Sequence, residues 1–68
     1  MFTELNSYIP GVHNYYYDIS TGDGEYRGYA VSIPEAVQEA NSWASLAIYP
    51  HIELYYLNGN LIRSWDLQ

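Results

Sequence analysis

The chain has 68 residues, no Cys, no Lys, eight carboxylates and two arginines, for a formal net charge of -6. That is one small domain, which buries only about 60% of the surface its unfolded form exposes. Disulfides, thiolate catalysis and thiolate zinc sites are excluded, and the basic footprint that duplex nucleic acid or an anionic membrane surface requires is missing. Stability must come from packing or from association, a homodimer included. With 49% hydrophobic and 18% aromatic residues the chain is too apolar to be disordered.

No apolar run reaches bilayer length. The start, Met1-Phe2-Thr3-Glu4-Leu5-Asn6, has neither the basic nor the apolar region of a secretory signal, so the expected location is the cytoplasm.

Residues 1–68 are expected to form a single domain. Pro10-Gly11 is the first turn signal, so residues 1–11 read as an N-terminal arm, with a short strand around Leu5 to Ile9. Residues 12–19 read as a strand with Tyr15, Tyr17 and Ile19 on one face and Asn14, Tyr16 and Asp18 on the other. Ser20 to Gly24 is a loop by composition. Residues 25–32 give a second strand, with Arg27, Tyr29 and Val31 on one face and Tyr26, Gly28 and Ala30 on the other. The smallness of Gly28 and Ala30 predicts close approach of another backbone or a large ring.

Ser32-Ile33-Pro34-Glu35 is a capping-box pattern, and proline is tolerated in a first helical turn. Ile33, Ala36, Val37, Ala40, Trp43, Ala44 and Ala47 follow the spacing of one apolar helical face. The helix must stop before Tyr49-Pro50. Asn58-Gly59 between alternating apolar residues then predicts a hairpin of residues 51–57 and 61–67. A two-residue turn would set Ile52 against Trp65, Leu54 against Arg63, Tyr55 with Ile62 and His51 against Asp66. The sum is an α+β fold, ββαββ, a small antiparallel sheet with one helix packed on one face.

Chemistry is sparse. The possible metal ligands are His13, His51, Asp18, Glu53 and Asp66, and His13 and His51 could meet at one sheet end, but no tight ligand spacing is present. The plainer reading is two surface or rim histidines, one paired with a carboxylate. Glu35 and Glu39 fall on the exposed helical face, and nothing marks a buried carboxylate with a raised pKa. Thr21-Gly22-Asp23-Gly24 matches neither a P-loop nor a dinucleotide fingerprint. No enzyme, metal or cofactor is implied.

The interaction surface is more informative. An almost single-signed acidic field favours fast association with a basic partner. Nine tyrosines exceed what strand filling needs, and the runs Tyr15-Tyr16-Tyr17 and Tyr55-Tyr56 put rings on both faces of a sheet with only one dry face. Tyr16, Tyr26 and Tyr55 are expected exposed, Tyr16 and Tyr26 on the face away from Tyr17. With Asp18, Asp23 and Glu25 they make the expected partner-binding set. Single-stranded nucleic acid is the competing use of such rings, and the charge opposes it.

The strand–strand–capped helix–hairpin order in a small acidic chain without Cys resembles small phage-encoded inhibitors, the small α+β anti-CRISPR proteins above all. Ser32-Ile33-Pro34-Glu35-Ala36, Trp43-Ala44 and Asn58-Gly59-Asn60-Leu61-Ile62-Arg63-Ser64-Trp65 carry the likeness, which is one of architecture and composition. It implies a basic host partner, a nucleic-acid-binding CRISPR effector subunit or nuclease, whose DNA binding or activation would be blocked in the host cytoplasm. A second likeness is to HicB-type antitoxins, which also place a Ser-x-x-Glu-Ala helix after a hairpin. The chain lacks their Gly-rich, Pro-containing second strand and DNA-binding tail, which ranks that reading second.

Overall fold

A computed structural model describes residues 1–67. The elements are β1 (Phe2–Glu4), β2 (Tyr15–Thr21), β3 (Gly24–Ala30), α1 (Ile33–Ala44), β4 (His51–Tyr56) and β5 (Leu61–Asp66). The strands form one sheet in the order β1-β3-β2-β4-β5. β1 runs parallel to β3, and the other neighbours are antiparallel. α1 lies across β2, β3 and β4. The fold is α+β, with the helix on one face, as the patterning predicts. No described helix is long and apolar enough to cross a membrane.

The first hairpin turns more tightly than its composition suggests. Thr21 pairs with Gly24, leaving only Gly22-Asp23 in the turn. The Thr21 hydroxyl accepts from the Asp23 and Gly24 amides at 3.0 and 3.2 Å and pulls the chain back early. In the second hairpin the expected register holds from His51/Asp66 to Leu54/Arg63, then shifts, so that Tyr55 faces Leu61 and not Ile62. The cause is a three-residue loop. The Tyr56 carbonyl accepts from Gly59 N–H, Tyr56 N–H donates to the Asn60 carbonyl, and Gly59 sits at φ 93. This loop sets Tyr55 against Leu61, and Ile62 is left as the extra residue of a bulge before Leu54 meets Arg63.

β1 is offset from the expected Leu5–Ile9 strand. It occupies residues 2–4, and the Leu5 amide extends the ladder to the Arg27 carbonyl at 2.8 Å. Asn6 then substitutes a side chain for the backbone. Its Oδ1 accepts from Tyr29 N–H at 2.8 Å and its Nδ2 donates to the Tyr29 carbonyl at 2.9 Å. With those groups taken, residues 7–12 turn away through Pro10 and Gly11.

The Ser32 hydroxyl caps α1 by accepting from Glu35 N–H at 3.2 Å, while the Glu35 carboxylate reaches the Val31 amide at 3.4 Å. The buried helical ridge is Ala36, Ala40 and Ala44, spaced by four. That ridge turns Trp43 aside. Expected on the apolar face, Trp43 is instead 46% exposed. The helix also ends sooner than its apolar spacing implies, and Ala47 lies beyond it. Leu46 and Ala47 donate to carbonyls three residues back, at Trp43 and Ala44. Tyr49, just before Pro50, adopts φ 52. A bulky residue held there costs about 1–3 kcal/mol.

Among the described residues the core is eight side chains: Tyr17, Ile19, Ala30, Ile52 and Leu54 from the sheet, and the three alanines of the ridge. Tyr17 is among the largest fully buried side chains. Its ring lies against Gly28, where any Cβ would collide with Tyr17 Cζ and Oη. The large ring that the small residues of β3 predict is therefore Tyr17. Its hydroxyl donates to Glu39 Oε1 at 3.1 Å, and burial followed by the Glu39 charge raises its pKa, so it stays a donor.

Gly28→Ala is predicted to destabilise the fold by about 1–3 kcal/mol through overpacking. Because the obstacle is one ring, Tyr17→Leu should offset part of that loss in a double-mutant cycle read by urea denaturation. Additive losses would show that something other than Tyr17 limits the space at Gly28.

Candidate functional site

Strand alternation leaves Phe2 and Glu4 of β1, Glu25, Arg27 and Tyr29 of β3, Tyr16 and Asp18 of β2, and His51, Glu53 and Tyr55 of β4 on the face away from α1. Its centre is an ion pair. Asp18 lies opposite Arg27 and is 6% exposed. Arg27 Nε donates to Oδ1 at 2.6 Å and Nη2 to Oδ2 at 2.9 Å. This two-pronged bond is the main reason the guanidinium pKa is raised. The guanidinium carbon is also 4.4 Å from the centroids of both Phe2 and Tyr16. A planar cation between two rings fixes all three groups.

Aromatic contacts spread from that centre. Tyr16 stacks on Tyr55 with centroids 4.9 Å apart and planes at 15°. Tyr29 lies 6.4 Å from Tyr16 and 5.3 Å from Tyr8. His13 lies 6.1 Å from Tyr29 and 6.3 Å from Tyr8, and its Nδ1 accepts from the Ile9 amide at 2.9 Å. Tyr8, Tyr16, Arg27, Tyr29 and Leu57 line a shallow depression of about 370 Å³. The Tyr55 hydroxyl donates to Glu53 Oε1 at 2.6 Å, and that bond pushes its pKa up to about 12. Tyr29 is raised by burial and then by Glu4, 3.5 Å from its hydroxyl. Tyr55 and Tyr29 are thus held as hydroxyl donors by Glu53 and Glu4, and the other rings are held by aromatic contacts.

The residues expected to bind a partner divide. Tyr16, Asp18, Glu25 and Tyr55 share the helix-free face, but Tyr16 and Tyr55, expected exposed, are half-buried there because each ring covers the other. Asp18 is buried against Arg27 and presents no free charge. Glu25 is exposed and lies 3.5 Å from the N-terminal ammonium. Asp23 is exposed at the tip of the first turn. Tyr26 belongs elsewhere: it pairs with Ile19 on the helix side and packs half-buried against the core. The two-residue turn sets this parity, placing Ile19 and Tyr26 at equal distances from it. Tyr29, Phe2, Arg27 and Tyr8 were absent from the expected set. A signal for two of them was present, since Asp18 with Arg27 and Tyr16 with Tyr29 are equidistant from Gly22-Asp23.

The histidines also part company. β2 and β4 are antiparallel, with Ser20 against His51 and Tyr15 against Tyr56. His13, ahead of β2, therefore lies at the far end of the sheet from His51. It is buried, not a rim residue. His51 is the paired one: its Nδ1 is 2.8 Å from Asp66 Oδ1 and its Nε2 is 3.5 Å from Glu53 Oε2. Among the described residues no group of three or more His, Asp or Glu is placed to hold a metal ion.

No protein-family profile matches the chain, and no curated protein or solved structure resembles it significantly.

Asp18→Asn should cost about 2–3 kcal/mol, the worth of charge-assisted hydrogen bonds at a buried acceptor. The partly exposed Arg27 limits the loss. Urea denaturation with an unchanged midpoint would show that the pair does not hold this face together.

Bonding to Asp66 raises the His51 pKa against the opposing effect of desolvation, and the Asp66 charge and the bond and charge of Glu53 add to the rise. The folded value lies above the ordinary one of about 6.5. The stabilising contribution is therefore complete below about pH 6.5 and fades as pH rises through the folded value. The stability difference between the parent and His51→Gln should shrink from pH 5.5 to 8.5. An imidazole titration midpoint at or below 6.5 in the folded protein would contradict this.

Proposed function

We propose that this chain is a non-enzymatic protein-interaction module that docks through the helix-free face of its sheet onto a basic partner. Following the resemblance to small anti-CRISPR proteins, that partner is a nucleic-acid-binding effector subunit or nuclease in the host cytoplasm, whose DNA binding or activation the module blocks. The observation that carries this reading is the stacked Tyr16–Tyr55 pair, continuous with Tyr29 and Tyr8, on a sheet face that no helix covers.

Tyrosine supplies wide, stiff contact area with few rotatable bonds, and these rings are already ordered before any partner arrives. The flanking Glu4, Glu25, Glu53 and Asp66 give the face an excess of negative charge, offset in part by the N-terminal ammonium beside Glu25 and by His51 between Glu53 and Asp66. Arg27 does not offset it, because Asp18 neutralises that cation internally. Lysines and arginines of a nucleic-acid-binding groove are attracted to such a face, whereas phosphates are repelled.

The test is inhibition of purified CRISPR effector complexes in a DNA-binding assay, with association and dissociation rates measured at two salt concentrations. Tyr16→Ala and Tyr29→Ala should each weaken binding by about 30-fold, mainly through faster dissociation. Asp23→Asn with Glu25→Gln should slow association and reduce its salt dependence. Failure to inhibit any effector would remove the effector assignment. Tight binding indifferent to both tyrosines would remove this face as the docking site.

A further inference from the structure

A second surface has nothing to do with the tyrosine face. From Ala40 to Pro50 the chain contains no Asp, Glu, Lys or Arg. Within that stretch Leu46 is 80% exposed, and Ile48 and Tyr49 are each 77% exposed, far more than an isolated domain needs. Beside it lies a cleft of about 240 Å³ lined mainly by Leu5, Ile19, Tyr26, Trp43, Leu46 and Ala47. The chain leaves the wall of this cleft at Ala47 and runs directly into Ile48 and Tyr49. Asp23 also lines it, but is exposed and keeps its carboxylate in water.

We propose that this surface is a two-fold dimer interface, in which the Leu46–Tyr49 knob of each copy packs against the other's cleft. Charge selects the occupant. A basic partner is drawn to the carboxylates, which lie outside residues 40–50. Two copies at -6 each repel least where they meet through the uncharged residues 40–50, with Asp23 the one carboxylate among the residues lining the cleft. Shape agrees. A knob adjoining a cleft on one surface is self-complementary, as an isologous contact demands, and 240 Å³ suits one large side chain. A standard interface of about 800 Å² per copy would take about a fifth of the 4323 Å² surface, a reasonable share for a domain with so small a core. The left-handed backbone at Tyr49 points the same way. An exposed ring on a strained residue is unfavourable in a lone copy, and burial against a partner offsets both penalties.

Sedimentation equilibrium of the full chain from about 1 µM to about 1 mM is the test, a range that captures interfaces of this class. The parent should reach twice its monomer mass. Ile48→Asp should weaken dimerisation at least about tenfold, as loss of a central anchor does. Its circular dichroism at low concentration should match the parent, because Ile48 is exposed in the monomer. Tyr49→Gly should move two readouts in opposite directions: relief of the left-handed strain raises the melting temperature of the monomer, while loss of the ring weakens the dimer. Tyr16→Ala should leave the dimer intact, which separates this interface from the tyrosine face. A parent that stays monomeric to about 1 mM overturns the proposal, since a buried patch of this size would associate below that. So does a dimer unaffected by both Ile48→Asp and Tyr49→Gly.

Discussion

The ring of Tyr17 packs against Gly28, and most of the architecture depends on that contact. A side chain at residue 28 would lift the ring away from the sheet. The helix would then lose its seat, because its buried ridge consists only of Ala36, Ala40 and Ala44. Alanines contribute little surface of their own. Their value is that they let the helix approach the sheet closely enough for Tyr17, Ile19, Ile52 and Leu54 to fill the space between. With eight residues in the core there is no reserve to absorb a void or a clash.

The same two strands build the opposite face by alternation. One step along from Tyr17 and Gly28 are Asp18 and Arg27. Burying a carboxylate is costly unless it is paired and fully hydrogen-bonded, and the fork of Arg27 meets that condition while Phe2 and Tyr16 cover the guanidinium on two sides. The charge pair is consequently less a source of net stability than a means of orienting rings. Tyr16 is fixed by the cation, Tyr55 by Tyr16, and Tyr29 by its neighbours Tyr16, Tyr8 and His13. A surface assembled this way loses little conformational entropy when something settles on it.

The hairpins, the capped helix and the single helix layer were legible because each rests on local chemistry: strand alternation, a serine cap, an Asn-Gly turn. The close approach of a neighbour over Gly28 was legible as well, though not whether another backbone or a large ring would supply it. What escaped depends on tertiary choices. Whether Tyr26 joins Tyr16 or Tyr17 turns on the parity of the first loop, and a Thr21 hydroxyl bond decides that. Trp43 is displaced because the alanine ridge, and not the bulkiest side chain, faces the sheet. The parallel pairing of β1 with β3 has no periodic signature, since three residues are too few to show one, and Asn6 completes the pairing with its side chain.

The central ladder, between β2 and β4, joins Tyr15 to Tyr56 and Ser20 to His51, with the whole helix between them in the chain. Both hairpins are local and close over two or three residues, so each can form quickly by itself. Their union is the one step that must overcome the entropy of closing a long loop before any contact rewards it. The rate-limiting step of folding is therefore expected to be the meeting of the two hairpins around the alanine ridge. Substitutions at Ile19, Ile52 or Leu54 should slow that meeting more than changes at the Asn58-Gly59 turn do, and refolding rates measured by stopped flow would rank them the other way if the turn were limiting.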